Sequence, residues 1–227
     1  MTVFQDKKGY RFSLDAVLLA GLTRVSPEDR VADLGTGCAV VLLILAYRGR
    51  GRELVGLEIQ PELANLAAKN VEANHLTDRV RVLEVDFREA AVHFEPGSFN
   101  VVMSNPPYRR LRSGRINPHP QRALARHELK ASVADVFIAG KHLLPRGGAL
   151  AVIYPASRLD HLLVTAHRHG FGPKELTVIY SHPSGPASLV HLDCRKGGGE
   201  ELRVMPPFFI YGQDGSYSAA MLMMYEK

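Results

Sequence analysis

The 227-residue chain predicts an α/β fold, a doubly wound and mostly parallel sheet with one antiparallel strand and a short C-terminal β extension. Three observations carry that expectation. Apolar, β-branched runs alternate with helix-length segments from residue 30 to residue 169, the pattern of strand–helix–strand units with parallel pairing. Three of those runs carry an acid at or just past their ends, Asp33, Glu58 and Asp86, and the first passes directly into a glycine turn. Near the C-terminus, β-rich runs at 175–180 and 187–195 flank Ser181-His182-Pro183-Ser184-Gly185-Pro186, a hairpin that places one antiparallel strand in or beside the sheet.

Residues 3–12 read as a short hairpin turning at Lys8-Gly9, and 14–22 as an apolar helix with Ser13 as N-cap. Pro27-Glu28-Asp29 breaks the chain before a strand at 30–34. Helix 39–48, strand 53–58, helix 61–74, strand 80–85 and a short acidic turn follow. Strand 99–104 leads through a long polar loop to helix 128–144, strand 148–154 and helix 157–169. Beyond the hairpin, Gly197-Gly198-Gly199 is a flexible break, and 202–211 and 217–225 read as two β segments around Gly212-Gln213-Asp214-Gly215. The length suits one domain over 1–227: an N-terminal hairpin and helix (1–26), a core (27–196) and a C-terminal β extension (197–227).

At 46% hydrophobic and 22% charged, the composition is that of a soluble globular protein. The most apolar run, 38–47, is too short to span a bilayer, and the N-terminus shows no signal peptide. Cys38 and Cys194 are too few for a disulfide framework or a cysteine zinc site, so they read as buried thiols in a cytoplasmic protein, with no metal implied. A net charge of +5 is compatible with an anionic partner without demanding one.

The most informative stretch is Ser104-Asn105-Pro106-Pro107-Tyr108. Two consecutive prolines cannot continue a ladder, so the chain leaves the sheet rigidly after the apolar run 99–103. An amide oxygen, backbone carbonyls and an aromatic face then lie within a few residues, a set that suits a planar amine. The bland alternative is an ordinary proline turn. Asp33-Leu34-Gly35-Thr36-Gly37-Cys38-Ala39 adds a turn at which a ligand can approach the backbone, although Ala39 stands where many dinucleotide sites have glycine. Glu58 can accept both hydroxyls of a ribose, and Asp86 a hydrogen bond from an adenine amino group with Phe87 or Ile59 packed on the ring. Asp33 either reaches the ligand's amino end or braces the turn, and Asp15 either borders the same pocket or favours its helix N-terminus. Acids at three successive strand ends converging on one crevice are more specific than any one of them.

In their order and spacing these motifs resemble class I S-adenosylmethionine-dependent methyltransferases, with a Rossmann-like fold. Asn105-Pro106-Pro107-Tyr108 looks like the signature of the amino-methylating branch. The whole chain resembles the bacterial tRNA adenine-N6 methyltransferases of the valine-tRNA type, including 11–20, Ala125-Arg126-His127-Glu128, His182-Pro183 with Gly185-Pro186-Ala187-Ser188, and Tyr217. The resemblance implies S-adenosylmethionine as cofactor, held by Asp15, Asp33, Gly35, Thr36, Gly37, Glu58, Ile59, Asp86, Phe87 and Asn105. It implies tRNA as substrate and an adenine beside the anticodon as acceptor. Asn105 and the Pro106 carbonyl would hold the amine hydrogens, with Pro107 stiffening the loop and Tyr108 stacking the base. Arg109, Arg110, Arg112, Arg115, Arg122 and Arg126 form a basic run at the mouth of such a site. Basic runs are commonly only solvated surface, but here the run reads as a phosphate clamp. Rival readings are methylation of a protein glutamine amide or of rRNA or DNA amines, and a non-catalytic RNA-binding protein of the same fold. A nicotinamide oxidoreductase fits less well, since the glycine turn lacks a full G-x-G-x-x-G.

Overall fold

The computed structural model describes residues 1–5, 14–106 and 131–225. The core strands are β1 (Arg30–Leu34), β2 (Glu53–Glu58), β3 (Val80–Glu84), β4 (Val101–Ser104), β5 (Ala149–Pro155), β6 (Phe171–Tyr180) and β7 (Ala187–Lys196). They lie in the order β3-β2-β1-β4-β5-β7-β6, with β7 antiparallel to both β5 and β6 and every other core pairing parallel. The single inserted antiparallel strand and the doubly wound sheet are as the sequence predicts.

Helices cover both faces, because the parallel strands are apolar on both sides and must be buried on both. On one face lie α1 (Leu14–Leu22), α2 (Val40–Tyr47) and α3 (Pro61–Ala73), packed on Val31, Leu54, Val101, Met103, Ala151 and Ile153. Helix α2 buries every residue from Val40 to Ala46, so no solvated face remains to give it an amphipathic pattern. On the other face lie the single turn α4 (Ala90–His93), α5 (Val133–Leu143) and α6 (Leu159–Arg168), packed on Ala32, Leu34, Val55, Leu57, Val102 and Leu150. Each fully buried leucine or phenylalanine contributes about 1.5–3 kcal/mol relative to exposure.

Several expected boundaries shift, and one element changes type. Strand β6 begins at Phe171 rather than 175, because Gly170, at φ 82°, ends the preceding helix abruptly and the chain enters the sheet at once. The C-terminal extension pairs in parallel with β6 only through β8 (Arg203–Val204) and β9 (Phe208–Phe209). The expected β segment at 217–225 is instead a bridge at Tyr217 followed by α7 (Ala219–Met223). Ser218 caps that helix by accepting the Met221 N–H at 3.0 Å, and Met221 is fully buried against the α1–α2 face. Of the expected N-terminal hairpin, residues 6–12 lie outside the described residues, as does Ser13. Phe4 pairs with the side chain of Asn70 on α3 and Thr2 with that of Asn74.

Candidate active site

Sheet register builds the site. Leu34 of β1 is paired with Leu57 of β2 and Ser104 of β4, so Gly35, Glu58 and Asn105 occupy the same row one residue on. Glu58 is paired with Glu84, and the Val85 N–H donates to the Glu58 carbonyl at 3.0 Å, which brings Asp86 to the end of the row. The buried Ser104 hydroxyl donates to the Leu34 carbonyl at 2.8 Å, tying the strand before Asn105 to the strand before the glycine turn. This edge is where the parallel strands end, the usual ligand crevice of an open α/β sheet.

The glycine turn is held from three sides. Gly35 and Thr36 donate their N–H groups to the Leu57 carbonyl at 2.9 and 3.1 Å. Glu58, only 4% exposed, accepts the Gly37 N–H on one oxygen at 2.9 Å and the Gln60 N–H on the other at 3.0 Å. The Asn70 amide donates to the Cys38 carbonyl at 3.0 Å, so the described N-terminal residues and the turn share one anchor. Gly35 and Gly37 have φ of 75° and 59°, and Ala39 follows at 64°, left-handed geometry that costs a non-glycine residue about 1–2 kcal/mol. A Cβ at Gly35 would meet nothing within 4 Å among the described residues, which leave open space above it.

Asp33 lies on the opposite face of β1 from Leu34 and is 2% exposed. Burial pushes its carboxyl up to about 7, against the lowering effect of the Thr36 hydroxyl, which donates to it at 2.7 Å, with the nearby Glu58 charge raising it further. Opposite Asp33, Gly56 leaves room for Thr36, since a Cβ there would lie 2.6 Å from the Thr36 methyl. Asp33, Gly35, Thr36 and Asn105 line one small cleft of about 20 Å³ together with Ala16 of α1, Cys38 and Val40. The cleft matters for the residues it gathers, from three separate chain segments, rather than for its size.

A family model for the methyltransferase small domain matches residues 14–163. The chain belongs to that family. The tRNA1(Val) (adenine(37)-N6)-methyltransferase of Erwinia tasmaniensis is 31% identical, over 96% of this chain and 87% of its own length. Among solved structures, one titled a predicted O-methyltransferase from Agrobacterium tumefaciens superposes with TM-score 0.73 at 20% identity, covering 92% of this chain and 94% of that one. TrmK of M. capricolum, solved with S-adenosyl-homocysteine, has TM-score 0.58 at 16% identity, covering 87% and 73% of the two chains. Both share the fold.

Around Asp86, the expected adenine contact, the local structure is built from within the chain. Asp86 caps a short 3-10 turn (Phe87–Glu89), accepting the Arg88 N–H at 2.9 Å and ion-pairing with its guanidinium. Burial alone would raise the Asp86 carboxyl, but its hydrogen bonds and charge pairing with Arg88 outweigh that and hold it below the usual range. Phe87 is buried in the same core cluster as Leu34 and Leu57, while Ile59 is half-buried at the end of β2. Asp15 is half-buried beside Ala16 at the start of α1, and Pro106 is buried next to half-buried Asn105. Pro107, Tyr108 and the arginines at 109, 110, 112, 115, 122 and 126 lie outside the described residues. Sequence reasoning missed Gly56, Asn70 and Ser104, whose partners are distant along the chain. A larger cleft of about 910 Å³ lies at the opposite edge of the sheet, lined by Arg24, Arg50, Arg146 and Arg195. It contains none of the strand-end acids, so the smaller cleft is the candidate site.

Among the described residues no helix is long and apolar enough to cross a membrane, and no cluster of His, Cys, Asp or Glu could hold a metal ion. Cys38 and Cys194 are buried and unpaired with one another.

Proposed function

We propose that the chain methylates the exocyclic N6 amine of an adenine in tRNA, at the adenine(37) that its relative's name specifies and that we read as lying beside the anticodon, with S-adenosylmethionine as donor. The observation that carries this reading is the row Gly35–Glu58–Asn105, with Asp33 in the cleft beside Gly35 and Asn105, which sets an amine-binding loop against a nucleotide-type turn. The donor set fits the cofactor. Glu58 retains acceptor capacity beyond its two backbone partners, Asp33 offers a carboxyl to an amino group, and the space above Gly35 admits a ligand against bare backbone. Asp86 would share its carboxylate between Arg88 and the adenine amine.

S-adenosylmethionine, when bound, supplies an electrophilic methyl on a sulfonium. The chain's own task is alignment more than acid–base chemistry. In this reading the Asn105 side-chain oxygen and the Pro106 carbonyl accept the two amine hydrogens. That directs the nitrogen lone pair at the methyl and favours the cationic transition state. The proton can pass to water after transfer, and no general base is required. Tyr108 stacks the flipped base, and the arginines from 109 to 126 grip the backbone of a single-stranded loop, from which a base is extruded most cheaply. The setting is the cytoplasm, where tRNA is modified.

The test is transfer from labelled S-adenosylmethionine to tRNA, rRNA, DNA and protein fractions from a strain lacking the gene, followed by nucleoside analysis. N6-methyladenosine confined to tRNA supports the reading. Label only in protein would move the acceptor to a glutamine amide, and no label with intact donor binding would overturn catalysis altogether.

A further inference from the structure

The C-terminal extension builds a run of aromatic rings. His182 stacks on Tyr211, with ring centroids 5.0 Å apart and planes at 21°, and Tyr211 stacks on Tyr217 at 5.3 Å and 14°. Tyr217 packs tilted against Tyr225 at 5.9 Å and 30°. Backbone pairing fixes the run to the sheet. The N–H groups of Ile210 and Tyr211 donate to the carbonyls of Tyr180 and Ser181, and Tyr211 bridges Tyr217 across the turn between them. The Ser218 hydroxyl donates to the Phe209 carbonyl at 2.6 Å. Despite this ordering the rings are not buried: His182 is exposed, Tyr217 is 37% exposed and Tyr225 53%.

The position of the run matters as much as its order. Because β7 is antiparallel to both its neighbours, β6 runs in the same direction as β4 and β5. Tyr180 therefore ends β6 on the same edge of the sheet at which Ser104 ends β4, just before Asn105. Register sets Ser104 level with Val152, Leu192 and Leu176, so Tyr180 lies three strand spacings across, about 14 Å, and four residues further along, about 13 Å, which puts the two strand ends roughly 19 Å apart.

We propose that the stack headed by His182 is a base-stacking platform that receives an unpaired base from the same loop as the target adenine. The inference rests on the RNA amine-methylation reading above and adds a subsite to it. Aromatic faces accept any base, and the bases of a single-stranded loop lack the continuous stacking of a helix that such a face replaces. At ~3.4 Å per stacked nucleotide, and up to about twice that when splayed, roughly 19 Å corresponds to a base about three to six nucleotides from the target, within the same loop. A purely structural role, covering the β6 edge, is already met by the backbone pairing of β8 and β9 and does not need an exposed ring at residue 182.

The experiment uses the full chain and an anticodon stem-loop RNA with 2-aminopurine placed in turn at each loop position other than the target adenine. The wild-type protein should quench the fluorescence at one such position. His182→Ala should abolish that quench and raise the KM for RNA about ten-fold, with kcat and thermal melting little changed. His182→Phe should restore both, since the platform needs a ring and not a charge. RNA methylated by the wild-type chain without quenching at any position would overturn the platform and leave the proposed reaction standing. Restoration by His182→Lys but not by His182→Phe would also overturn it, in favour of a phosphate contact. If the RNA is neither bound nor methylated, the platform falls together with the proposed function.

Discussion

Asn105 is placed by two strands at once, since Ser104 pairs with Leu34 and also bonds its carbonyl. Truncating Asn105 therefore leaves the strand end and the glycine turn in place. Asn105→Ala should lower kcat about 100-fold or more, the scale of losing one aligned polar contact to a developing charge. S-adenosylmethionine affinity, read by calorimetry, should change only a few-fold, and loss of both together would assign Asn105 to the donor pocket instead. At this scale the sequence was most legible where a backbone feature sits on consecutive residues, as in the glycine turn at 33–37. It was least legible where a residue acts through a distant partner. Nothing local marks Asn70 as the anchor of the Cys38 carbonyl or says that Phe87 faces the core, whereas the Asp86–Arg88 clasp spans only two residues and was open to a local reading.

At the scale of elements, β2 serves the turn as much as the sheet. Gly56 stands under Thr36, and the short, buried Thr36 side chain is hydrogen-bonded to Asp33 and has little room to yield. Gly56→Ala should therefore destabilise the protein by about 1–3 kcal/mol, the usual cost of overpacking. It should also weaken donor binding, since the turn must lift; unchanged affinity would show that the turn tolerates displacement. Helix α5 offers a contrasting, purely local case. Ser132 and Asp135 form a reciprocal capping box, so Ser132→Ala should cost about 1 kcal/mol in chemical unfolding without altering catalysis. Core strands could be read from the sequence because burial on both faces selects unbroken apolar runs. The segment 217–225 was misread because its apolar residues suit either state. Ser218 followed by Ala219-Ala220-Met221-Leu222-Met223, a cap before good helix formers, was the signal that decides it.

Across the whole molecule, two buried ionisable groups on the α1–α2 side of the sheet set opposite pH dependences. Burial lowers His191, which contacts the Thr23 hydroxyl at 3.0 Å, from an ordinary 6.5 to about 4. Between those values the unfolded chain binds the proton and the folded one does not, so stability rises as pH increases from 4 to 6.5, by about 3 kcal/mol. Asp33 is raised from 3.8 to about 7, so there the folded chain holds the proton and the unfolded one does not. Its contribution falls as pH increases across that window, by about 4 kcal/mol. The two slopes nearly cancel, and wild-type stability should vary little between pH 4 and 7 on their account. Asp33→Asn keeps an acceptor for Thr36 and removes the falling slope, so its urea midpoint should climb steadily over that range relative to wild type. His191→Gln keeps a partner for Thr23 and removes the rising slope, so its midpoint should decline relative to wild type. All other titrating groups are common to the three proteins and drop out of the differences. An Asp33→Asn curve parallel to wild type would mean that Asp33 ionises normally in the folded chain, and that its carboxylate, not its acid form, is what the glycine turn is built around.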